Sequence, residues 1–365
     1  MSVSIDEVPV PDSLQDPGAS EFNEYIRVHD TVEIDVLGTD LLTASAEYLL
    51  SEYRTNPTRK RSLFLASVDG VSVGRAMVTT RPHQPGVGAH LAVDVLPEHR
   101  RRGFGTTLLK HVQSVAAGEG ETAFKFTVPH SASVEGPRIP APTGFGELPE
   151  REPGVAFLRR HGYSLEQVVR ISLLDTAGLV PRMSELLRGA ETASGDYRLH
   201  AWVGPTPDEW IEDLAVLRTR MSTDAPMGGL ATPPDPWDSA RVVDHDERAG
   251  KGSEAVLTTA AEHVSTGRLA GFSEIVVPVD HPAAIQEDTL VLREHRGHRL
   301  GMLMKTANAR ELVSVAPRIE AVVTWNAEEN RPMLDVNEAI GFRAIGYEGG
   351  WLKQSTGNKW RGNLV

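Results

Sequence analysis

The sequence contains no cysteine in 365 residues. That excludes disulfides, thiolate metal sites and a covalent intermediate on a protein thiol. Basic charge is also scarce: 37 Lys and Arg stand against 50 Asp and Glu, a net charge of −13. Nucleic-acid binders draw affinity from neutralised phosphates, so this balance speaks against a nucleic-acid partner and against docking on anionic lipid. No apolar run approaches the roughly 18 residues that cross a bilayer. The first basic residue is Arg27, so no charged segment leads into an apolar one. A cytoplasmic location with no membrane partner is expected. The histidines do not fall at metal-ligand spacing; pairs such as His295/His298 read as solvated turns, and no metal site is expected.

What is present is an internal repeat. Residues 91–110 read LAVDVLPEHRRRGFGTTLLK, and residues 287–305 read EDTLVLREHRGHRLGMLMK. Aligning Glu98-His99-Arg100 with Glu294-His295-Arg296 gives an offset of 196. In both, an apolar strand-like run meets a basic turn, and a Gly-bearing segment opens a helix. A second match pairs Gly162 with Gly341 at an offset of 179, so the first copy carries an insertion. Residues 129–153 hold six prolines and three glycines, which predicts a long loop without regular elements. Ser62–Asp69 and Val71–Thr80 alternate about Asp69-Gly70 and predict a hairpin. Helices are expected over 22–29, 39–53, 104–116, 154–161, 208–220, 300–314 and 330–340, with Pro181–Arg188 as a short connector. This spacing predicts domains over 1–178 and 196–365, with 179–195 as linker.

A strand that ends in a basic, Gly-bearing turn opening a helix makes an anion cradle. Free backbone N–H groups and the helix dipole both favour negative charge there. The turn follows a run of antiparallel-type strands instead of a first βαβ strand, which disfavours a dinucleotide fold. No Gly-x-x-x-x-Gly-Lys-Ser/Thr segment is present, so a P-loop is excluded.

These features resemble the GNAT superfamily of N-acetyltransferases, in tandem. The family's pyrophosphate motif is Arg/Gln-x-x-Gly-x-Gly/Ala. Arg100-x-x-Gly103-x-Gly105 fits it, and Arg296-x-x-Arg299-x-Gly301 departs from it at Arg299. Strand Ala321–Trp325, Asn326, Asn330 and Gly341-Phe342 match the family's strand–Asn–helix–Gly-Phe segment. The resemblance implies an α/β (α+β) class with two GNAT-like domains, each a mixed, mainly antiparallel sheet splayed at the cofactor site and flanked by helices. It implies acetyl-CoA as co-substrate. Val93 and Val95, or Thr289, Leu290 and Val291, would pair with the pantetheine arm. The pyrophosphate would lie on Arg100, Arg101, Arg102, Gly103, Phe104, Gly105 and Thr106, or on Gly297, His298, Arg299, Leu300, Gly301 and Met302. Asn326 and Asn330 would line the second groove.

Transfer to an amine needs a base, a donor for the thioester oxygen and a proton for the leaving thiolate. Without cysteine, direct attack in a ternary complex is expected. The second copy offers Glu274, Glu287 and Asp288; the first offers His90 and Asp94 on the matching strand. Strand alternation places Glu287 with Thr289 and Val291 on one face and Asp288 with Leu290 and Leu292 on the other, and leaves open which faces the acceptor. The family's Tyr has no counterpart: Leu158 and Asn337 stand at its places, and Tyr347 is a substitute candidate. Asp224 and Trp237 are candidates for binding a cationic amine. The expectation is an N-acetyltransferase of a small-molecule amine, monomer or homodimer, with the second domain catalytic. A CoA-binding regulatory or scaffold protein without turnover is the alternative.

Overall fold

The computed structural model describes residues 3–55, 58–84, 86–131, 134–230, 233–251 and 254–354. In chain order the elements are β1 (Ser4–Val8), α1 (Ala19–Leu37), α2 (Ala46–Thr55), β2 (Lys60–Val68), β3 (Val71–Thr80), β4 (Ala89–Val95), α3 (Phe104–Gly118), β5 (Ala123–His130), β6 (Arg138–Pro140), β7 (Glu147–Pro149), α4 (Pro153–Arg160) and β8 (Ser164–Asp175). They continue with α5 (Leu179–Glu191), β9 (Tyr197–Val203), α6 (Ile211–Asp224), α7 (Ser239–Lys251), β10 (Glu254–His263), β11 (Arg268–Pro278), β12 (Ala283–Val291), α8 (Leu300–Val315), β13 (Ala321–Ala327), α9 (Arg331–Ile340) and β14 (Arg343–Gln354).

Two compact units emerge, with bounds unlike the two halves that the repeat marks. The first gathers the described residues of Met1–Val169, Met227–Pro233 and Gly346–Val365. The second gathers Arg170–Pro226 and Pro234–Ile345. Strands β8 and β14 therefore each contribute residues to both units. Residues 179–195, expected as linker, carry α5. Its Leu179, Met183, Leu187 and Ala190 are buried in the second unit's cores, so burial of an apolar helical stripe outweighs the glycines that flank it.

In the first unit β1, β2, β3 and β4 follow one another antiparallel. The β2–β3 turn has positive φ at both Asp69 and Gly70, the geometry a two-residue hairpin requires. β14 pairs antiparallel with β5 from Tyr347↔His130 to Gln354↔Ala123. Trp351 is thereby fully buried in the core with Phe126, Leu108 and Leu148. The region 129–153 is not wholly irregular. β6 and β7 form a small hairpin, Arg138↔Pro149 to Pro140↔Glu147, because Pro140 and Pro149 sit at strand ends where no ladder N–H is needed.

The second unit repeats the plan with β9, β10, β11 and β12 antiparallel and α5 packed on α8. In both units the central parallel pairing is short. β4 meets β5 only at Ala89↔Phe124 and His90↔Lys125. β12 meets β13 only from Ala283↔Ala321 to Ile285↔Val323. Beyond these points the strands splay, and among the described residues no strand pairs with the C-terminal ends of β4 and β12 on that side.

Candidate active site

Each splay ends in the basic turn, and the two turns share one backbone shape. Positive φ occurs at Arg101 and Gly103 in the first, and at Gly297 and Arg299 in the second. The offset of 196 pairs Arg101 with Gly297 and Gly103 with Arg299. The departure at Arg299 is thus absorbed: an arginine takes the left-handed conformation that glycine takes in the first copy, at a cost of about 1 kcal/mol.

The leading arginine of each turn serves the scaffold. Arg100 Nε donates to Val95 O at 3.1 Å and its Nη1 reaches Asp35 at 2.7 Å. Arg296 Nε donates to Val291 O at 3.1 Å and its Nη2 reaches Asp224 at 3.0 Å. Asp224, a candidate for amine binding, has a side chain only 4% exposed and also accepts from Arg293. Its carboxylate fastens the second turn to the end of α6.

The turns differ in what lies over them. A Cβ on Gly105 would stand 3.3 Å from the Phe157 ring, which packs on His161, itself 3.2 Å from Thr106 Oγ1. At Gly301 nothing lies within 4 Å of that position. The strands before the turns differ too. β3 and β4 pair without a break from Gly74↔Val95 to Thr79↔His90. On β12, Ser273↔Thr289 is followed by Ile275↔Gln286, so Glu287 and Asp288 together oppose Glu274. This bulge re-aims both acids, as bulges beside active sites do.

Three acids of the second unit therefore have distinct surroundings. Glu274 is buried and takes both oxygens to Arg218 Nη2, at 2.8 and 2.9 Å, with Thr258 Oγ1 also donating. Asp288 is half-buried, with Arg218 Nη1 at 3.8 Å. Burial, reinforced by the Glu274 charge, raises its pKa, while Arg218 and His245 oppose the rise. Glu287 is exposed. The face that bears Asp288 also bears Leu290 and Leu292, which pack with Leu214, Leu217, Val242 and Trp237 from α6, α7 and the segment between them. Two guanidiniums stand over the Trp237 ring, Arg218 at 4.9 Å and Arg241 at 4.2 Å from its centre. The ring already meets protein cations.

Thr289 Oγ1 lies 2.9 Å from Ser273 Oγ. Asn337 Nδ2 donates to Asn326 Oδ1 at 2.6 Å, and Asn330 caps α9 without a side-chain bond. Tyr347 belongs to the first unit, where it packs on the core, whereas Glu274, Glu287 and Asp288 belong to the second. Sequence reasoning missed Arg218 and His245 here. An arginine at a position that α6 buries was the available signal for the first; His245 sits on α7, which the sequence reading did not contain.

Residues 35–134 match the family described as Acetyltransferase (GNAT) family. A tandem GNAT protein from the clavulanic acid biosynthesis pathway, solved without AcCoA, is 22% identical, with a TM-score of 0.75 over 98% of this chain and 100% of that one. The chain has a tandem GNAT fold. A GCN5-related N-acetyltransferase from Sphaerobacter thermophilus aligns at 14% identity and TM-score 0.65, covering 96% of this chain and 95% of that one. The glucosamine N-acetyltransferase region of a fungal multi-domain GH3 beta-N-acetylglucosaminidase aligns at 13% and 0.60, covering 96% and 38%. No curated protein sequence matches the chain. Both GNAT splays and both turns are accounted for by this fold. Among the described residues no helix is long and apolar enough to cross a membrane, and no group of side chains has the arrangement of a metal site.

Proposed function

We propose that the second unit is an acetyl-CoA-dependent N-acetyltransferase acting on the amine of a small molecule. The observation that carries this reading is the combination, in one unit, of an open turn at Gly301 and a bulge that presents Asp288 at the splay. The residues fit the co-substrate. Backbone N–H groups over 299–302 would hold the pyrophosphate, with Arg299 adding charge. Thr289, Leu290 and Val291 would pair with the pantetheine arm, and Asn326 and Asn330 would line the groove. When bound, acetyl-CoA supplies the thioester that a neutral amine attacks.

The chain's own residues prepare the amine. Asp288 takes the ammonium proton; its raised pKa makes it a stronger base than an ordinary aspartate. Arg218 is the positioning group, because it holds Glu274 and limits how far the Asp288 pKa rises. With no cysteine in the chain, the amine attacks directly. The first unit has the unmodified motif but a ring over Gly105 and an unbulged strand, which supports a supporting role in transfer. The monomer or homodimer, the cytoplasmic location and the domain bounds of the repeat belong to the same proposal.

Calorimetric titration of acetyl-CoA into wild type, Gly105→Glu and Gly301→Glu tests the reading. Binding lost only in Gly301→Glu supports it. Binding lost only in Gly105→Glu moves the site to the first unit, and no binding to wild type removes the acetyltransferase reading.

A further inference from the structure

At its C-terminal end α8 leaves part of the second unit's sheet uncovered. The helix stops at Val315, because Ala316 takes a non-helical backbone and Pro317 has no N–H for a further turn. Beside this end β10 begins and β11 finishes, with Ala255 opposite Val277 and Leu257 opposite Ile275. Val203, the last residue of β9, stands opposite Leu257. These strand ends and the turn after α8 line a cavity of about 360 Å³. Ala255 is too small to fill the space that the helix leaves over it.

The walls are apolar and graded in exposure. Leu257, Val277 and Ala316 lie buried at the floor, while Val203, Val279 and Val315 are each about half exposed at the rim. Arg318 is the one charged side chain in the lining. Its Nη1 donates to His281 O at 3.1 Å and its Nη2 to Pro278 O. A guanidinium carries five N–H donors, so these two carbonyls leave capacity unused. Among the described residues Arg318 forms no ion pair, in a chain whose net charge is −13. Helix α8 has 16 residues, about 24 Å at 1.5 Å each, and Gly301 stands at its other end. The cavity is therefore separate from the turn and the splay.

We propose that this cavity binds a short-chain aliphatic carboxylate, with the alkyl tail among the valines and the carboxylate on Arg318. The volume falls in the lower part of the roughly 300–1,000 Å³ that small-molecule pockets span, which suits a small molecule better than a partner's helix or strand. The apolar walls reward each methylene taken from water. Arg318 is exposed, so the carboxylate stays at the water's edge and neither charge is fully desolvated. The negative end of the α8 dipole opposes an anion only within the last turn, and Arg318 lies beyond it. An uncharged apolar molecule would leave the spare Arg318 donors unused, and an ammonium would meet like charge.

Calorimetric titration of the full chain at pH 7 with butanoate, hexanoate and octanoate tests the proposal. Affinity should rise about fourfold per added methylene until the cavity is full. Octylammonium should bind about fivefold more weakly than octanoate, and Arg318→Gln should remove that difference. Ala255→Phe should fill the cavity and abolish octanoate binding. Melting curves establish that both variants fold, and Arg318→Gln, at an exposed position, carries the test if Ala255→Phe does not. Gly301→Glu should leave octanoate binding unchanged, which separates this result from acetyl-CoA binding in the same unit. Absence of saturable octanoate binding overturns the proposal. So does equal affinity for butanoate and octanoate, equal binding of octylammonium, or binding lost in Gly301→Glu but retained in Ala255→Phe. A sedimentation coefficient that falls in Val203→Lys, with no octanoate bound, assigns the face to a second copy of the chain and equally overturns it.

Discussion

Replacing Lys305 by methionine should stabilise the second unit and remove most of its pH dependence above neutrality. Lys305 lies on α8, is 2% exposed, and has no carboxylate partner among the described residues. Its Nζ stands 5.7 Å from the centre of the Phe342 ring. Burial alone takes its pKa from 10.5 down to about 7. At about 1.4 kcal/mol per factor of ten, that displacement corresponds to about 5 kcal/mol of destabilisation when the group is charged. The sign follows from proton binding. The unfolded chain keeps the ordinary pKa, so between pH 7 and 10.5 it holds the proton that the folded chain has lost. The full penalty therefore applies below pH 7 and fades as pH rises toward 10.5, and wild-type stability climbs across that window. Methionine fills a similar volume without charge, and the first copy already places an apolar residue there: Leu109, 1% exposed, at the matching position. Guanidinium denaturation at pH 7 and pH 10, followed by tryptophan fluorescence, reads the effect, since Trp202, Trp210, Trp237 and Trp325 all report on the second unit. The variant should gain several kcal/mol at pH 7 and little at pH 10. Equal stability of the two proteins at pH 7, or parallel pH slopes, would refute the reasoning.

Asp288→Asn should lower transfer by about two or more orders of magnitude with a smaller change in acetyl-CoA affinity, read by release of free CoA in the presence of an amine. Because the Asp288 pKa is raised, wild-type transfer should fall as pH drops through a value above 3.8, and the Asn variant should lack that limb. His130→Ala should destabilise the first unit by about 2–4 kcal/mol, read by chemical denaturation. The buried imidazole bridges the Trp351 indole at 3.2 Å and Glu152 at 2.7 Å, and removal leaves a buried carboxylate short of a partner. Deletion from residue 343 onward should cost the first unit its cooperative unfolding transition in a melting experiment, since β5 loses its β14 neighbour and the core loses Trp351.

The elements that sequence patterning captured are those whose signal is local. Asp69-Gly70 announces its own hairpin, and the two basic turns announce the helices they open. Apolar spacing at Leu108, Leu109, Val112 and Ala116 marks the buried face of α3. Long-range features were not legible. Periodicity does not say which strand lies beside which, so the pairing of β14 with β5, and with it the place of Tyr347, could not be read. The Glu287–Asp288 bulge depends on the register with β11, which no residue type encodes. α7 was hidden because SARVVDHDERAGK has a strongly polar composition and follows a proline run. The cavity at the far end of α8 draws on β9, β10, β11 and the turn after the helix, and its valines look like ordinary strand and helix residues until the fold gathers them. Asp224 was legible as important, but its role as an anchor for Arg293 and Arg296 needed the geometry.

Strand β14 also sets an order of events during synthesis. The first unit's sheet includes β14 as far as Gln354, yet the unit's long N-terminal stretch ends at Val169. At a translation rate of about 5–20 residues per second, the ribosome needs roughly 10–35 seconds to cross the interval. Throughout that time β5 has emerged with an unpaired edge and the Trp351 position in the core is unfilled. The nascent first unit thus keeps that edge and that gap open until β14 emerges, and slower translation of the second half lengthens its exposure.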